Sequence, residues 1–489
     1  HRDLHSFPTR RSSDLNGFAA ELSAKQVEAL KKLPDVISVN ENELFTVDTS
    51  STPAFLGLDG ETGFWQVFDA KGEDVVIGVV DSGIWPEHPS FSDRTGVSPS
   101  GKPGKLDYTQ LPGWNAKCVP GEEFTAANCN QKLIGAQYFN ASWGGDAGID
   151  ALRPWEFNSA RDYNGHGSHT ASTAGGNSGV PVEGPAEIFG AISGIAPRAR
   201  ISAYKALWST EDASTASGYT ADLVAAIDQA VLDGVDVINY SISGSLTNFL
   251  DPVMVSYLYA ADAGIFVATS AGNSGPVAST VAHPGPWVTS VAAGTHNRST
   301  EGSVTLGNGY TYYGASVANT SVTAPLINAV DAVINPAYEY YARLCYSTAD
   351  TGGVAILDPA KIAGKIVVCD RGDTARVNKS LAVMEAGGVG MVLLNTSVTS
   401  LNADFHYVPS VHLQYVEADY NAIHDYADMD DASATINQAT VTYTAPAPYT
   451  ASFSSRGPLI AGGGDLLKPD LMAPGDRKST RLNSSHVSQ

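Results

Sequence analysis

Three residues, each set among glycines and small side chains, could together carry out acyl transfer. His166, in Asn164-Gly165-His166-Gly167-Ser168-His169-Thr170, is the candidate general base: an imidazole titrates near neutrality, and flanking glycines let the backbone approach without a Cβ clash. Asp81, in Val80-Asp81-Ser82-Gly83, is the candidate carboxylate. Asn273, in Ala271-Gly272-Asn273-Ser274-Gly275, offers an amide donor suited to an oxyanion. Taken singly, each has a plainer reading: a structural histidine, an aspartate capping the next turn, an Asn-Ser-Gly turn. The surroundings of the three decide between the readings.

Asp81 closes Val75-Val-Ile-Gly-Val-Val80, a short continuous apolar run expected of a strand buried on both faces. Strand and helix signals then alternate: a strand from Arg200, a helix from Asp222 to Leu232, a strand from Val235, a helix from Val253 to Ala263 and a strand over Ile265–Ser270. Such alternation predicts βαβ units and a parallel sheet. Asp81, Ser241 and Asn273 all fall at or just beyond strand C-termini, where open α/β sheets place their ligands. Roughly residues 320–445 break the pattern and read as an inserted α/β domain, with a strand at Lys365–Cys369 and a helix and strand within Lys379–Leu394. Tyr449–Pro458 and Leu467–Gly475 resume a Gly/Pro-rich core. Upstream, residues 16–48 read as a helix capped by Ser23, with Val27, Leu30 and Leu33 on one face, followed by a strand over Val36–Val39.

With 489 residues the chain can build several domains and a sizeable core. A formal net charge of −22 argues against nucleic acid or an anionic membrane as partner, because both demand Lys/Arg surfaces. There is no apolar run long enough to predict a spanning helix. The four cysteines fall as local pairs, Cys118 with Cys129 and Cys345 with Cys369, outside metal-type C-x-x-C spacing. They read as two disulfides formed in an oxidising, extracellular compartment, the alternative being four reduced buried thiols. Residues 1–15 and 477–489 read as translated adapter sequence and are set aside.

As an ordered set, Val80-Asp-Ser-Gly-Ile84, Gly165-His-Gly-Ser-His-Thr170, Ser270-Ala-Gly-Asn-Ser-Gly275 and Phe453-Ser-Ser-Arg-Gly-Pro458 resemble the subtilisin-like serine peptidases. The resemblance implies a three-layer α/β sandwich with a mainly parallel sheet, and a triad in chain order Asp, His, Ser. It divides the chain into a propeptide remnant (16–48), the first part of the peptidase domain (49–319), a protease-associated insert (320–445) and the resumed peptidase domain (446–476). Asp81 would orient His166 and Asn273 would bind the oxyanion. Ser241, Ile242, Ser243 and Gly244, with Ala271 and Gly272, would line the substrate, which pairs there as an added strand. Protein or peptide substrates and the chain's own propeptide are the implied partners. No cofactor is required, structural calcium is left open, and secretion is expected. The family's Gly-Thr-Ser-Met-Ala nucleophile motif should follow Ala473-Pro474-Gly475, yet no Gly-Thr-Ser occurs. Ser479, Ser484, Ser485 and Ser488 lie in the adapter-like tail and are not assigned in its place. The nucleophile is therefore absent from the reading, and the chain as written is expected to be inactive. Competing readings are weaker: a pure peptide-binding module has no use for the Asp81, His166 and Asn273 set, and no phosphate-cradling Gly-rich loop joins a strand to a helix.

Overall fold

The computed structural model describes residues 52–475, apart from 95, 98–102, 105–113, 115, 212, 214 and 400. The adapter-like ends, the Ser23 helix and the Val36–Val39 strand lie outside these residues.

The strand read at Val75–Val80 is β1 (Val76–Asp81), and all six of its residues are buried. Its neighbours are β2 (Leu133–Tyr138), β3 (Arg200–Lys205), β4 (Val237–Tyr240), β5 (Phe266–Ser270), β6 (Thr289–Gly294) and, much later in the chain, β15 (Leu471–Pro474). The sheet order is β15-β6-β5-β4-β1-β3-β2, and every pairing is parallel. Parallel strands need crossovers, and the helices that supply them cover both faces. On one face α2 (Thr220–Asp233) and α3 (Pro252–Asp262) set Leu223, Ala226, Ile227, Ala230, Met254 and Tyr257 against Val76, Val80 and Ile238. The spacing of the α2 residues is that of one helical stripe. Asp251 caps α3 by accepting from the Val253 amide at 3.1 Å, with Pro252 in the first turn. On the other face Ala171 of α1 (His166–Gly175) packs on Ile77, Val79, Ile201 and Ala203. Alternate residues of β1 thus feed two separate cores, which makes the domain three layers deep.

Between β6 and β15 the chain builds a second sheet. Its strands are β7 (Ser299–Leu306), β8 (Thr311–Ala315), β9 (Val322–Asn328), β10 (Ile366–Asp370), β11 (Gly390–Leu394), β12 (Ser410–Leu413), β13 (Ser433–Ile436) and β14 (Thr440–Thr442). They run in the order β8-β12-β11-β10-β9-β13-β7-β14, and β8 pairs back onto β7, so the sheet closes on itself. The stretch from β9 to β12 is parallel, and the remaining pairings are antiparallel. α4 (Arg376–Glu385) links β10 to β11, and α5 (Glu417–Ala427) follows β12. This sheet begins upstream of residue 320, the boundary read from the sequence. Its first two strands form a hairpin through Gly307-Asn308-Gly309, with φ +92° at Gly309. β7 alternates between buried and open positions and β8 has no buried residue, so neither has the continuous apolar run that marks the parallel strands.

Candidate active site

The end of β1 and the start of α1 meet at one point. Gly167 makes this possible: a Cβ there would lie 2.2 Å from the Gly83 carbonyl oxygen, so only glycine lets the helix seat against the turn after Asp81. Gly165, the residue before α1, sits in the left-handed region at φ +88°. Asp81 is fully buried, and its carboxylate lies against His166 Nδ1 with Oδ1 at 2.7 Å and Oδ2 at 2.9 Å. The Ser82 amide donates to Oδ1 at 2.7 Å, and Thr170 Oγ1 donates to Oδ2 at 3.2 Å. An ionised carboxylate can only accept, so Nδ1 carries the imidazole proton and Nε2 is left as the basic nitrogen. The ring is 26% exposed, open enough for that nitrogen to reach a reactant.

Asp162, to which the sequence reading gave no role, holds this junction from behind. It is fully buried and accepts from Ser82 Oγ (2.9 Å), the Gly165 amide (2.8 Å), the Ser168 amide (2.9 Å) and Ser168 Oγ (2.7 Å). Ser82 Oγ in turn accepts from the Gly167 amide at 2.9 Å. No side chain of the N-cap residue serves α1, so Asp162 does that work from three residues upstream, with its negative charge at the positive end of the helix. A further support is the buried ion pair of Lys205 with Glu156, 2.7 Å apart, in which Lys205 Nζ also donates to the Arg161 carbonyl at 2.7 Å.

The other residues singled out from the sequence lie on the same edge of the sheet. Ser241 follows β4, and β4 pairs with both β1 and β5. Ile242 turns its carbonyl inward, where Ser270 Oγ (3.3 Å) and His283 Nε2 (2.7 Å) donate to it. Ser243 and Gly244 are exposed, and their amides make no hydrogen bond among the described residues. Beyond β5, Ala271 is buried and its amide donates to the Val291 carbonyl at 2.9 Å, while Gly272 takes φ +101°. Asn273 is exposed, and its side-chain amide makes no hydrogen bond among the described residues. An asparagine that merely shaped a turn would bond its own backbone. The loop is held instead by Ser455, whose amide donates to the Gly272 carbonyl (3.0 Å) and whose Oγ accepts from the Ser274 amide (3.1 Å). The Phe453–Pro458 motif is thus a brace for the Asn273 loop.

Both cysteine pairs are bridged, Cys118 with Cys129 and Cys345 with Cys369. Among the described residues no helix is long and apolar enough to cross a membrane, and no group of His, Cys, Asp or Glu side chains is arranged to hold a metal ion.

Residues 72–489 match the subtilase family (peptidase S8), and residues 1–48 match the peptidase inhibitor I9 family. Subtilisin-like protease SBT1.6 of Arabidopsis thaliana is 37% identical over 468 residues, covering 94% of this chain and 58% of the relative. Subtilisin-like protease SBT1.4 of the same plant is 38% identical over 481 residues, covering 95% and 57%. The chain therefore spans a little under three-fifths of the length of these relatives. A psychrophilic subtilisin-like protease from an Antarctic Pseudoalteromonas overlaps 79% of each chain at 18% identity and a TM-score of 0.32, too slight a likeness to argue from. With the family match running over most of its length and two curated relatives above one-third identity, this chain belongs to the subtilase family.

Proposed function

We propose that the whole protein is a secreted serine endopeptidase, and that Asp81 and His166 are the acid and base of its triad. The observation that carries the reading is the double contact of the Asp81 carboxylate with His166 Nδ1. It fixes the tautomer whose Nε2 can take a proton from an attacking hydroxyl and return it to the leaving amine. Asn273, whose side-chain amide is unengaged among the described residues, stabilises the oxyanion of the tetrahedral intermediate. The attacking serine is supplied by residues that follow Gly475 in the whole protein. β15 runs parallel to β6, so its carboxyl end opens on the edge that bears Asp81 and Asn273, and the chain leaves Gly475 towards that edge. No serine of residues 477–489 is assigned the role.

Substrate adds as a strand along Ser241–Gly244, taking the exposed main chain of Ser243 and Gly244 as its hydrogen-bond partners. Residues 16–48 are read as an inhibitory propeptide of this chain, in keeping with the inhibitor match over 1–48. The closed second sheet is read as a protease-associated insert without chemistry of its own. Secretion follows from the two disulfides, which persist in oxidising compartments.

The test is to express the full-length protein and its Asp81→Ala and His166→Ala variants, then measure peptide hydrolysis and labelling by a fluorophosphonate probe. Hydrolysis and labelling by the parent, and their loss in both variants, are the expected result. A parent that neither hydrolyses nor labels, or a His166→Ala variant as active as the parent, overturns the assignment.

A further inference from the structure

His283 is absent from every motif above, yet it is 1% exposed and lies directly beneath the stretch read as substrate-binding. It sits in the loop between β5 and β6 at φ +61°, a conformation uncommon for a residue with a side chain. Two consecutive amides tie that loop to both walls of the cleft: Ala282 donates to the Ala271 carbonyl at 3.0 Å, and His283 donates to the Ser245 carbonyl at 3.1 Å. The ring packs so closely under Gly244 that a Cβ there would lie 2.3 Å from its Cε1, and it stands edge-on to Tyr240 at 5.5 Å between centroids. From this position Nε2 donates to the Ile242 carbonyl at 2.7 Å. Nδ1 is buried without a partner among the described residues.

A trans peptide places its C=O and the following N–H on opposite sides of the amide plane. Pinning the Ile242 carbonyl inward therefore aims the Ser243 amide outward, towards the space an added strand would occupy. We propose that His283 is a positioning residue for substrate: through the Ile242 carbonyl it sets the Ser243 N–H to donate to the main-chain carbonyl of an extended peptide. The inference rests on the peptidase reading and names the device that orders its substrate strand. Burial keeps the imidazole below its ordinary pKa, partly offset by the bond to Ile242 and by Asp251, so the ring stays neutral with its one proton on Nε2. Ser270 Oγ, the second donor to the same carbonyl at 3.3 Å, is the weaker partner.

The test uses the full-length protein with a series of peptides of increasing length before the scissile bond, together with a single-residue ester. Fluorophosphonate titration counts the competent sites in each preparation. His283→Phe keeps a buried ring and loses the donor; KM for the longer peptides should rise about tenfold, the size of one hydrogen bond, while kcat and the ester rate per titrated site hold within about twofold. His283→Gln, which restores a donor, should recover part of the loss. Ser270→Ala should raise KM in the same length-dependent way by a smaller factor, and it carries the test alone if His283→Phe does not fold. An equal fall for ester and long peptide, or no length dependence in Ser270→Ala, overturns the proposal while the parent remains active. A parent without activity instead defeats the peptidase reading itself.

Discussion

Removing the Asp162 carboxylate should damage stability and turnover together, because one side chain holds both the start of α1 and the turn after Asp81. In Asp162→Ala, four donors at 2.7–2.9 Å lose their acceptor: Ser82 Oγ, the Gly165 amide, the Ser168 amide and Ser168 Oγ. A net hydrogen bond to a charged group contributes about 1.5–3 kcal/mol, so simple addition gives a loss of roughly 6–12 kcal/mol. That sum is too large, because neighbouring contacts are not additive and the space vacated by the carboxylate admits water. A loss of about 3–5 kcal/mol is expected, well below the additive sum. The kinetic effect follows from Ser82 Oγ, which is bonded to both Asp162 and the Gly167 amide. Once it is released, His166 moves relative to its reactant, and a shift of about 1 Å costs on the order of 10²-fold in kcat. Asp162→Asn keeps one acceptor oxygen and should fall between the two. Urea unfolding followed by tryptophan fluorescence, with kcat on a peptide substrate, measures both effects in the full-length protein. If Asp162→Ala loses less than about 1 kcal/mol and keeps its kcat, the first turn of α1 supports itself and the reasoning is wrong.

Asp81→Asn presents an amide to His166 Nδ1 and favours the wrong tautomer; kcat should fall about 10⁴-fold with KM little changed, and a loss below tenfold in steady-state assays would count against Asp81 as the orienting carboxylate. Asn273→Ala should lower kcat by about 10²- to 10³-fold, the effect of deleting one oxyanion donor in a subtilisin, and an unchanged kcat would return Asn273 to the status of a turn residue. Graded reduction with alkylation and mass spectrometry should open Cys118–Cys129 before Cys345–Cys369, since the first pair is half-buried and both sulfurs of the second are fully enclosed. Loss of the second bridge, which closes 24 residues, should cost about 3 kcal/mol. His412 is 1% exposed, and burial lowers its pKa from 6.5 to about 4. Between those values the unfolded chain binds the extra proton, so stability rises with pH across that window and acidification through it removes up to about 3 kcal/mol. Urea midpoints at neutral and acid pH should converge in His412→Gln; an unaltered slope would show that this imidazole does not drive the change.

What could be read from the sequence followed from how local each signal is. β1 announces itself because a strand buried on both faces is apolar at every position, and Asp81 is conspicuous as the charge that ends it. His166 stands out because close approach of the backbone demands glycine beside it, and the glycine contact at Gly83 bears out that physical reason. The two cysteine pairs are close in sequence and lie outside metal spacing, and both are bridged. Asp162 escaped notice because a carboxylate four residues before a helix looks like any turn former, and its four partners come from two separate segments. His283 could not be found at all from sequence, since its partner Ile242 is 41 residues away and the contact is to a main-chain carbonyl. The upstream limit of the second sheet was missed for a different reason. β7 and β8 are half-buried, and the Gly307-Asn308-Gly309 hairpin cue lies outside the stretch where the pattern visibly changes.

The second sheet leaves the first after β6 and returns it almost to the same place. The Thr295 amide donates to the Tyr449 carbonyl at 2.7 Å, and Gly294 bridges Thr450, so exit and re-entry are hydrogen-bonded neighbours. Further along, the Ser290 amide reaches Asp470 across 180 residues of chain. Closing a flexible loop of that length costs about 4–5 kcal/mol in chain entropy. A barrel that has already formed brings its two ends together and reduces that span to a short tether. Once the barrel is built, the β6–β15 pairing therefore carries a smaller loop-closure cost than it would across a flexible chain of the same length. On this account a substitution that unravels the barrel weakens the pairing of β15 with β6 without touching a single atom near His166.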